Sequence, residues 1–332
     1  MDKRIAHEIK SIIKTYSQND KIIFKNRPLA VDLSNFSTIH PNTDSSENDL
    51  LGKENNKTIT YIDGGEAQII SVGNFCLSFI RIAAVKFCGV KKLDITKNEF
   101  FLLTSAKTNE GKLYYHSKIF PAVGEPLISE LQLVIDSNDS TIRNGKERAQ
   151  VSKVSNMARR FCELNLAKKL AKENYSDYFF LDGTLEPTFL GEEELVNTLP
   201  NNVCALSKTS SLFTQLGNNP SILLSKIGPN GCFSYFLTDK TYFVKLHDSA
   251  KHVFRFETIS DVDEILPLLL QNSIDPLFLG YPYGLIFADR IARVSNNEKS
   301  ALSMKFLLNK ENKEIADYLS TNNAHDILDR IG

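Results

Sequence analysis

The sequence predicts an α/β fold built on one sheet of mixed strand order, and three observations lead there. From residue 152 to 206 apolar patterns alternate as helix, strand, helix, strand, the succession that lays helices against neighbouring strands. Residues 178–181 are four apolar or aromatic side chains in a row, as in a strand covered on both faces, and Asp182-Gly183 marks its end. Upstream, residues 67–72 and 75–90 read as consecutive strands rich in Ile, Val, Phe and Cys, a buried meander.

Taken in order, residues 3–16 carry Ile5, Ile9, Ile12 and Ile13 at helical spacing with charges between them. This is an amphipathic helix suited to capping the core or docking on a partner. Residues 40–57, rich in Pro, Asn, Asp and Ser, read as a loop. A short β-branched run over 58–62 then delivers Asp63 onto Gly64 and Gly65, which read as the turn that stops the strand. Strand patterns return at 99–104 and 112–120, and the polar run 136–145 separates this half from a helix over 152–172. That helix places Met157, Phe161, Leu164 and Ala167 on one stripe, with Glu163 close to it and Arg159, Arg160, Lys168, Lys169 and Lys172 largely elsewhere. A helix at 192–198 and a strand at 203–206 follow, leading into Ser207-Lys208-Thr209-Ser210. Three short strands at 232–237, 241–246 and 252–257 precede a helix at 262–271. Within 280–294, Leu285, Ala288 and Ala292 make an apolar helix in which Asp289 is conspicuous, and charged helical segments at 297–319 and 324–331 finish the chain. There is no internal repeat.

A chain of 332 residues can bury a large core, as two domains or as one with insertions. With 39 basic and 40 acidic residues no global field advertises nucleic acid, so any DNA contact belongs to a local patch. Five scattered cysteines without C-x-x-C spacing argue against a disulfide framework or a zinc site and for a reducing cytoplasm. No run approaches the ~18 apolar residues of a membrane span, and the expected location is cytoplasmic. Walker A, G-x-G-x-x-G, G-x-S-x-G and H-E-x-x-H motifs are all lacking.

Asp63, Glu163, Asp182 and Asp289 each stand where neighbours are apolar or a strand is expected to stop. Buried carboxylates repel one another and carry a cost of several kcal/mol unless paired, protonated or bound to a cation. All-oxygen ligands suit Mg²⁺ or Mn²⁺, and one or two such ions on a phosphate would hydrolyse a phosphodiester. Each residue also has a plainer reading. Asp-Gly is an ordinary hairpin corner, Glu163 a surface glutamate, Asp289 a partner of Arg290 or Arg293, and Lys208 a solvated turn lysine rather than a phosphate contact. Tyr281 and Tyr283 suit base stacking or packing equally.

Four blocks in order resemble the NurA nuclease family: Tyr-Ile-Asp63-Gly-Gly, Arg160-x-x-Glu163, Phe-Leu-Asp182-Gly-Thr-Leu, and Gly-Tyr281-Pro-Tyr-Gly-Leu-x-x-Ala-Asp289. A fifth, Leu-Ser-Lys208-Thr-Ser, is similar to the family's lysine-containing strand end. The resemblance implies an RNase H-like core with mixed central sheet, flanking helices and inserted strands between Asp182 and Tyr281. It divides the chain into residues 1–57, an N-terminal helix and polar loop for dimer or partner contact, and 58–332, the nuclease domain. It implies a Mn²⁺- or Mg²⁺-dependent DNase of 5′–3′ exonuclease and single-strand endonuclease type, a homodimer, and a complex with a HerA-type hexameric ATPase, in end processing or antiviral defence. On this resemblance Asp63, Glu163 and Asp182 hold metal and Tyr281 joins the active site; beside it, Asp289 is expected to complete the metal shell, Lys208 and Arg160 to offset phosphate charge, and Tyr283 to meet nucleic acid. Two departures stand out: Asp289 where members often have histidine, and Gly65 where serine is frequent. An assembly subunit with a weak nuclease site and an actin-like or sugar-kinase-like phosphotransferase stay open beside it.

Overall fold

The structure, a computed structural model, describes residues 3–14, 20–41 and 57–322. Its elements are α1 (Lys3–Lys14), β1 (Lys21–Phe24), β2 (Arg27–Ala30), β3 (Phe36–Thr38), β4 (Thr58–Val72), β5 (Phe75–Cys88), β6 (Lys91–Asn109), β7 (Lys112–Val123) and β8 (Ile135–Asp136). After them come α2 (Lys153–Lys172), β9 (Tyr178–Asp182), α3 (Glu192–Asn197), β10 (Val203–Ser207), β11 (Phe213–Thr214) and α4 (Pro220–Ile227). The chain continues through β12 (Phe233–Thr238), β13 (Thr241–Lys245), β14 (Phe254–Glu257), α5 (Val262–Asn272), α6 (Tyr283–Ala292), α7 (Asn296–Leu307) and α8 (Lys313–Asn322). The end of the first expected helix, most of the 40–57 loop and the last helical segment lie outside the described residues.

One large sheet runs β3-β12-β13-β14-β10-β9-β4-β5-β6-β7-β8, and β11-β1-β2 form a small second sheet. Its middle, β6-β5-β4-β9-β10, is an antiparallel meander continued by two strands parallel to β4, the order of an RNase H-like core. As expected, β12–β14 extend it between Asp182 and Tyr281. Strands β1–β3 were not visible in the sequence pattern; they are short, and β1 and β3 pair with residues after 200.

Helices cover both faces of the middle strands, which is why these strands are apolar on alternate and intervening positions alike. On one face Met157, Phe161 and Leu164 of α2 pack with Ile62, Ile82, Phe179 and Leu181. On the other, Leu269 of α5 and Leu285 and Ala288 of α6 pack with Tyr61, Phe180, Leu206 and Phe256. At about 1.5–3 kcal/mol per fully buried large apolar side chain, these layers dominate the stability. Cys162 and Cys204 are packing residues within them.

Two expectations need correction. Gly64-Gly65 is not a turn, because β4 runs unbroken from Thr58 to Val72 and pairs Asp63, Gly64 and Gly65 with Ala83, Ile82 and Arg81 of β5. Glycine is required there by close approach: a Cβ on Gly65 would stand 2.2 Å from the Ala292 carbonyl oxygen at the end of α6. Nor does Arg160 lie off the buried side of α2. That helix is covered over most of its circumference, and Arg160 is buried with its neighbours Ala158, Phe161 and Cys162.

Candidate active site

Strand alternation and register bring the first two acids together. Ile59 and Tyr61 of β4 and Tyr178 and Phe180 of β9 belong to the α6-side core, so Asp63 and Asp182, two residues further on, project to that same side. The last parallel pair is Ile62 with Leu181, and the two aspartates follow it side by side. Beyond Asp182 strand β9 stops, with Gly183 at φ +117° and its N–H on the Leu206 carbonyl. So Asp182 stands at a strand end as expected. Asp63 reaches the same level from mid-strand.

Glu163 comes from α2 on the opposite face and reaches them through a gap left by a missing side chain. A Cβ on Gly64 would lie 2.5 Å from Glu163 Oε1 and 2.7 Å from Arg159 Cγ. Glu163 is only 2 % exposed and Asp63 7 %, so neither is a solvated surface acid. Glu163 Oε1 accepts from Arg159 Nη1, while Arg159 Nε donates to Glu66 Oε2 at 3.1 Å. Arg160 Nη1 stands 3.7 Å from Glu163 Oε2. Its guanidinium otherwise donates to Glu192 Oε1 at 2.7 Å and to the Thr184 carbonyl, which ties α2 to the loop after Asp182 rather than leaving a free cation for phosphate.

On the α6 side, Lys208 Nζ donates to Asp182 Oδ2 at 2.5 Å and lies 4.0 Å from Asp289 Oδ1. The Tyr281 hydroxyl donates to Asp182 Oδ1 at 3.3 Å, and Lys208 sits over its ring. Asp289 Oδ2 also pairs with Arg293 at 2.5 Å, the surface pairing that the sequence left open. Tyr283 packs against Phe87 and Phe287, which engages its ring as packing rather than as a free stacking platform. The α6 helix is held this close because Gly284 lies flat on Tyr61, where a Cβ would meet the ring at 2.0 Å.

The electrostatics follow from burial and crowding. Burial, then the charges of Glu163 and Asp182, push the Asp63 carboxyl up to about 8, against one favourable hydrogen bond from the Gly64 N–H. Burial also raises Glu163, partly offset by Arg159 and Arg160. Burial and the adjoining aspartates hold the Tyr281 hydroxyl far above its usual range, so it is a fixed donor. For Lys208 burial works downward, but the hydrogen bond and charge of Asp182, with Asp289 and Asp63 behind it, outweigh it and keep the ammonium charged.

A family model described as the NurA domain matches residues 57–294. The chain belongs to the NurA family. No curated protein matches it. Among solved structures, the NurA nuclease from Sulfolobus solfataricus is 15% identical with a TM-score of 0.53, covering 94% of this chain and 95% of that one. The catalytic domain of human endonuclease V is 10% identical with a TM-score of 0.37, over 71% and 80% of the two chains. The Ciona intestinalis endonuclease V in complex with DNA is 11% identical with a TM-score of 0.35, over 88% and 97%. The Sulfolobus likeness is one of fold; the two endonuclease likenesses are too slight to argue from.

Within this NurA domain the donors chemically suited to a divalent ion are carboxylate oxygens of Asp63, Asp182, Glu163 and Asp289, a hard set that fits Mn²⁺ or Mg²⁺. Among the described residues, no three His, Cys, Asp or Glu side chains stand close enough to hold an ion as they are placed. Glu163 and Asp182 are each turned onto a cationic side chain, Arg159 and Lys208. The raised Asp63 carboxyl marks a place where positive charge is wanted. Sequence reasoning missed Arg159 and Glu66 as site residues. Arg159 was legible as the i, i+4 partner of Glu163 on a helix, but Glu66, three residues beyond Asp63 in a strand read as already ended, carried no signal.

Proposed function

We propose that this NurA-family protein is a DNA nuclease that hydrolyses phosphodiester bonds with one or two Mn²⁺ or Mg²⁺ ions held by Asp63, Asp182, Glu163 and Asp289. The observation that carries the reading is that Asp63 and Asp182 emerge side by side from adjacent parallel strands, with Glu163 reaching through the gap at Gly64. Bound there, the ion supplies Lewis-acid polarisation of a phosphoryl oxygen and a water of lowered pKa. The chain's own residues do the rest. Lys208, 44 % exposed, offsets phosphate charge, and Tyr281 fixes the Asp182 carboxylate through its hydroxyl. Asp63 holds its proton until a cation balances its neighbours.

The family supports the finer reading: 5′–3′ exonuclease and single-strand endonuclease action, a homodimer, a HerA-type hexameric ATPase partner, a cytoplasmic site, and work in DNA end resection or antiviral defence. With formal charge −1, the chain alone should grip DNA modestly, the partner or dimer supplying the remainder. No helix among the described residues is long and apolar enough to cross a membrane.

The test is cleavage of end-labelled linear and single-stranded DNA with Mn²⁺. Asp63→Ala and Asp182→Ala should each abolish it while the circular dichroism stays native. Full activity in both variants would overturn the assignment, whereas absence of cleavage by the wild type, with and without the ATPase, would favour an assembly subunit.

A further inference from the structure

We propose that Arg159 is a built-in counter-ion of the acidic cluster, displaced from Glu163 by the divalent cation, with Glu66 as the second acceptor that keeps hold of it. The inference rests on the reading of Asp63, Asp182 and Glu163 as ion ligands.

Arg159 forks between two acids. Nη1 donates to Glu163 Oε1, with the Gly64 carbonyl at 3.4 Å, and Nε donates to Glu66 Oε2 at 3.1 Å. Its stem fills the gap at Gly64 beside Glu163, so the guanidinium engages the oxygen an ion would need. Its neighbour Arg160 is no substitute, being tied to Glu192 and Thr184 and 11 % exposed at the side chain, against 30 % for Arg159. A half-buried charge stripped of its only partner is unfavourable. Glu66 removes that obstacle, because Arg159 keeps one ion pair when Glu163 turns to the incoming cation. The cluster is thereby neutralised before the cation arrives without a competitor that cannot leave.

The experiment is a double-mutant cycle read by calorimetric titration of MnCl₂ into the full chain at fixed pH and salt, without DNA. Arg159→Gln should bind Mn²⁺ about tenfold more tightly than wild type, since a charge-assisted hydrogen bond no longer competes. Glu66→Gln should bind about fivefold more weakly, because Arg159 then holds Glu163 alone. In the Arg159→Gln background the Glu66→Gln change should have no effect beyond about twofold. An unchanged or weaker affinity in Arg159→Gln, or an equal Glu66→Gln loss in both backgrounds, overturns the proposal, the second result meaning that only through-space charge is at work. If Arg159→Gln does not fold, Arg159→Lys takes its place, with several-fold tightening expected because an ammonium lacks the fork. Failure of wild type to bind Mn²⁺ sinks both this proposal and the ion-site reading; wild-type binding with an indifferent Arg159 variant sinks this proposal alone.

Discussion

Replacing Asp63 by Asn should stabilise the metal-free protein while destroying its activity. The acid is buried among Glu163, Asp182 and Asp289, with Arg159 and Lys208 as the nearby cations. Its ordinary pKa of 3.8 is pushed up to about 8 in the fold. Because the folded value lies above the unfolded one, the contribution of this carboxyl to stability is intact below about pH 4. It is lost progressively as pH rises towards 8, where the unfolded chain ionises freely and the folded chain resists. At 1.36 kcal/mol per pH unit the gap sets a ceiling of about 6 kcal/mol. Side-chain relaxation and the nearby cations reduce this to about 2 kcal/mol, worth a few degrees in Tm for a chain of this size. The assay is thermal melting of wild type and Asp63→Asn with chelator from pH 4 to 9. The two should coincide near pH 4 and diverge progressively from there to a full gap above pH 8, the variant being the more stable, and added Mn²⁺ should raise the wild type more. A variant that melts lower at pH 8.5, or a difference that does not change with pH, would refute the reasoning.

Gly64→Ala places a methyl against the Glu163 and Arg159 side chains, which can shift, so it should cost about 1–2 kcal/mol yet lower DNA cleavage at least a hundredfold; melting and a cleavage time course check both. Gly65→Ala meets the Ala292 backbone carbonyl instead and should lower stability more, by about 3 kcal/mol, in urea titration. Arg160→Met leaves Glu192, fully buried, without its ion partner, with only the Thr188 and Phe189 N–H groups on its other oxygen, and should cost about 3–5 kcal/mol by the same measurement. Lys208→Met should keep the fold and lower kcat/KM for DNA about tenfold or more, with a weaker dependence of binding on salt.

The core was legible where local pattern and burial agree. The greasy run before Asp182, the meander, the α2 stripe and the α6 helix were all visible because apolar runs bounded by turn residues are a short-range signal. Asp63 was read at a strand end, and the structure sets it in mid-strand at the level of Asp182 instead. Gly-Gly marks a turn by local rules, but these glycines answer Glu163 from one face and α6 from the other, contacts about 100 and 230 residues away that no local pattern carries. Arg160 was misread because a charged residue between apolar helical positions reads as solvated unless the second layer is known. Strands β1–β3 are three or four residues each, with Pro28 in β2; β1 and β3 pair with distant partners and β2 only with β1, so they leave no periodicity. The blocks of the four acids, Lys208 and the Asp289–Arg293 pairing could be read from the chain, whereas the role of Glu66 as a partner of Arg159 emerged only from the packing of α2 on β4.

The most direct measurement is a crystal of the full chain soaked in Mn²⁺, with the ion located by anomalous scattering. A peak within about 2–2.5 Å of carboxylate oxygens of both Asp63 and Asp182, with Glu163 turned toward it, is the expected result. A protein that takes up Mn²⁺ elsewhere, leaving Glu163 on Arg159 and Asp182 on Lys208, would contradict it.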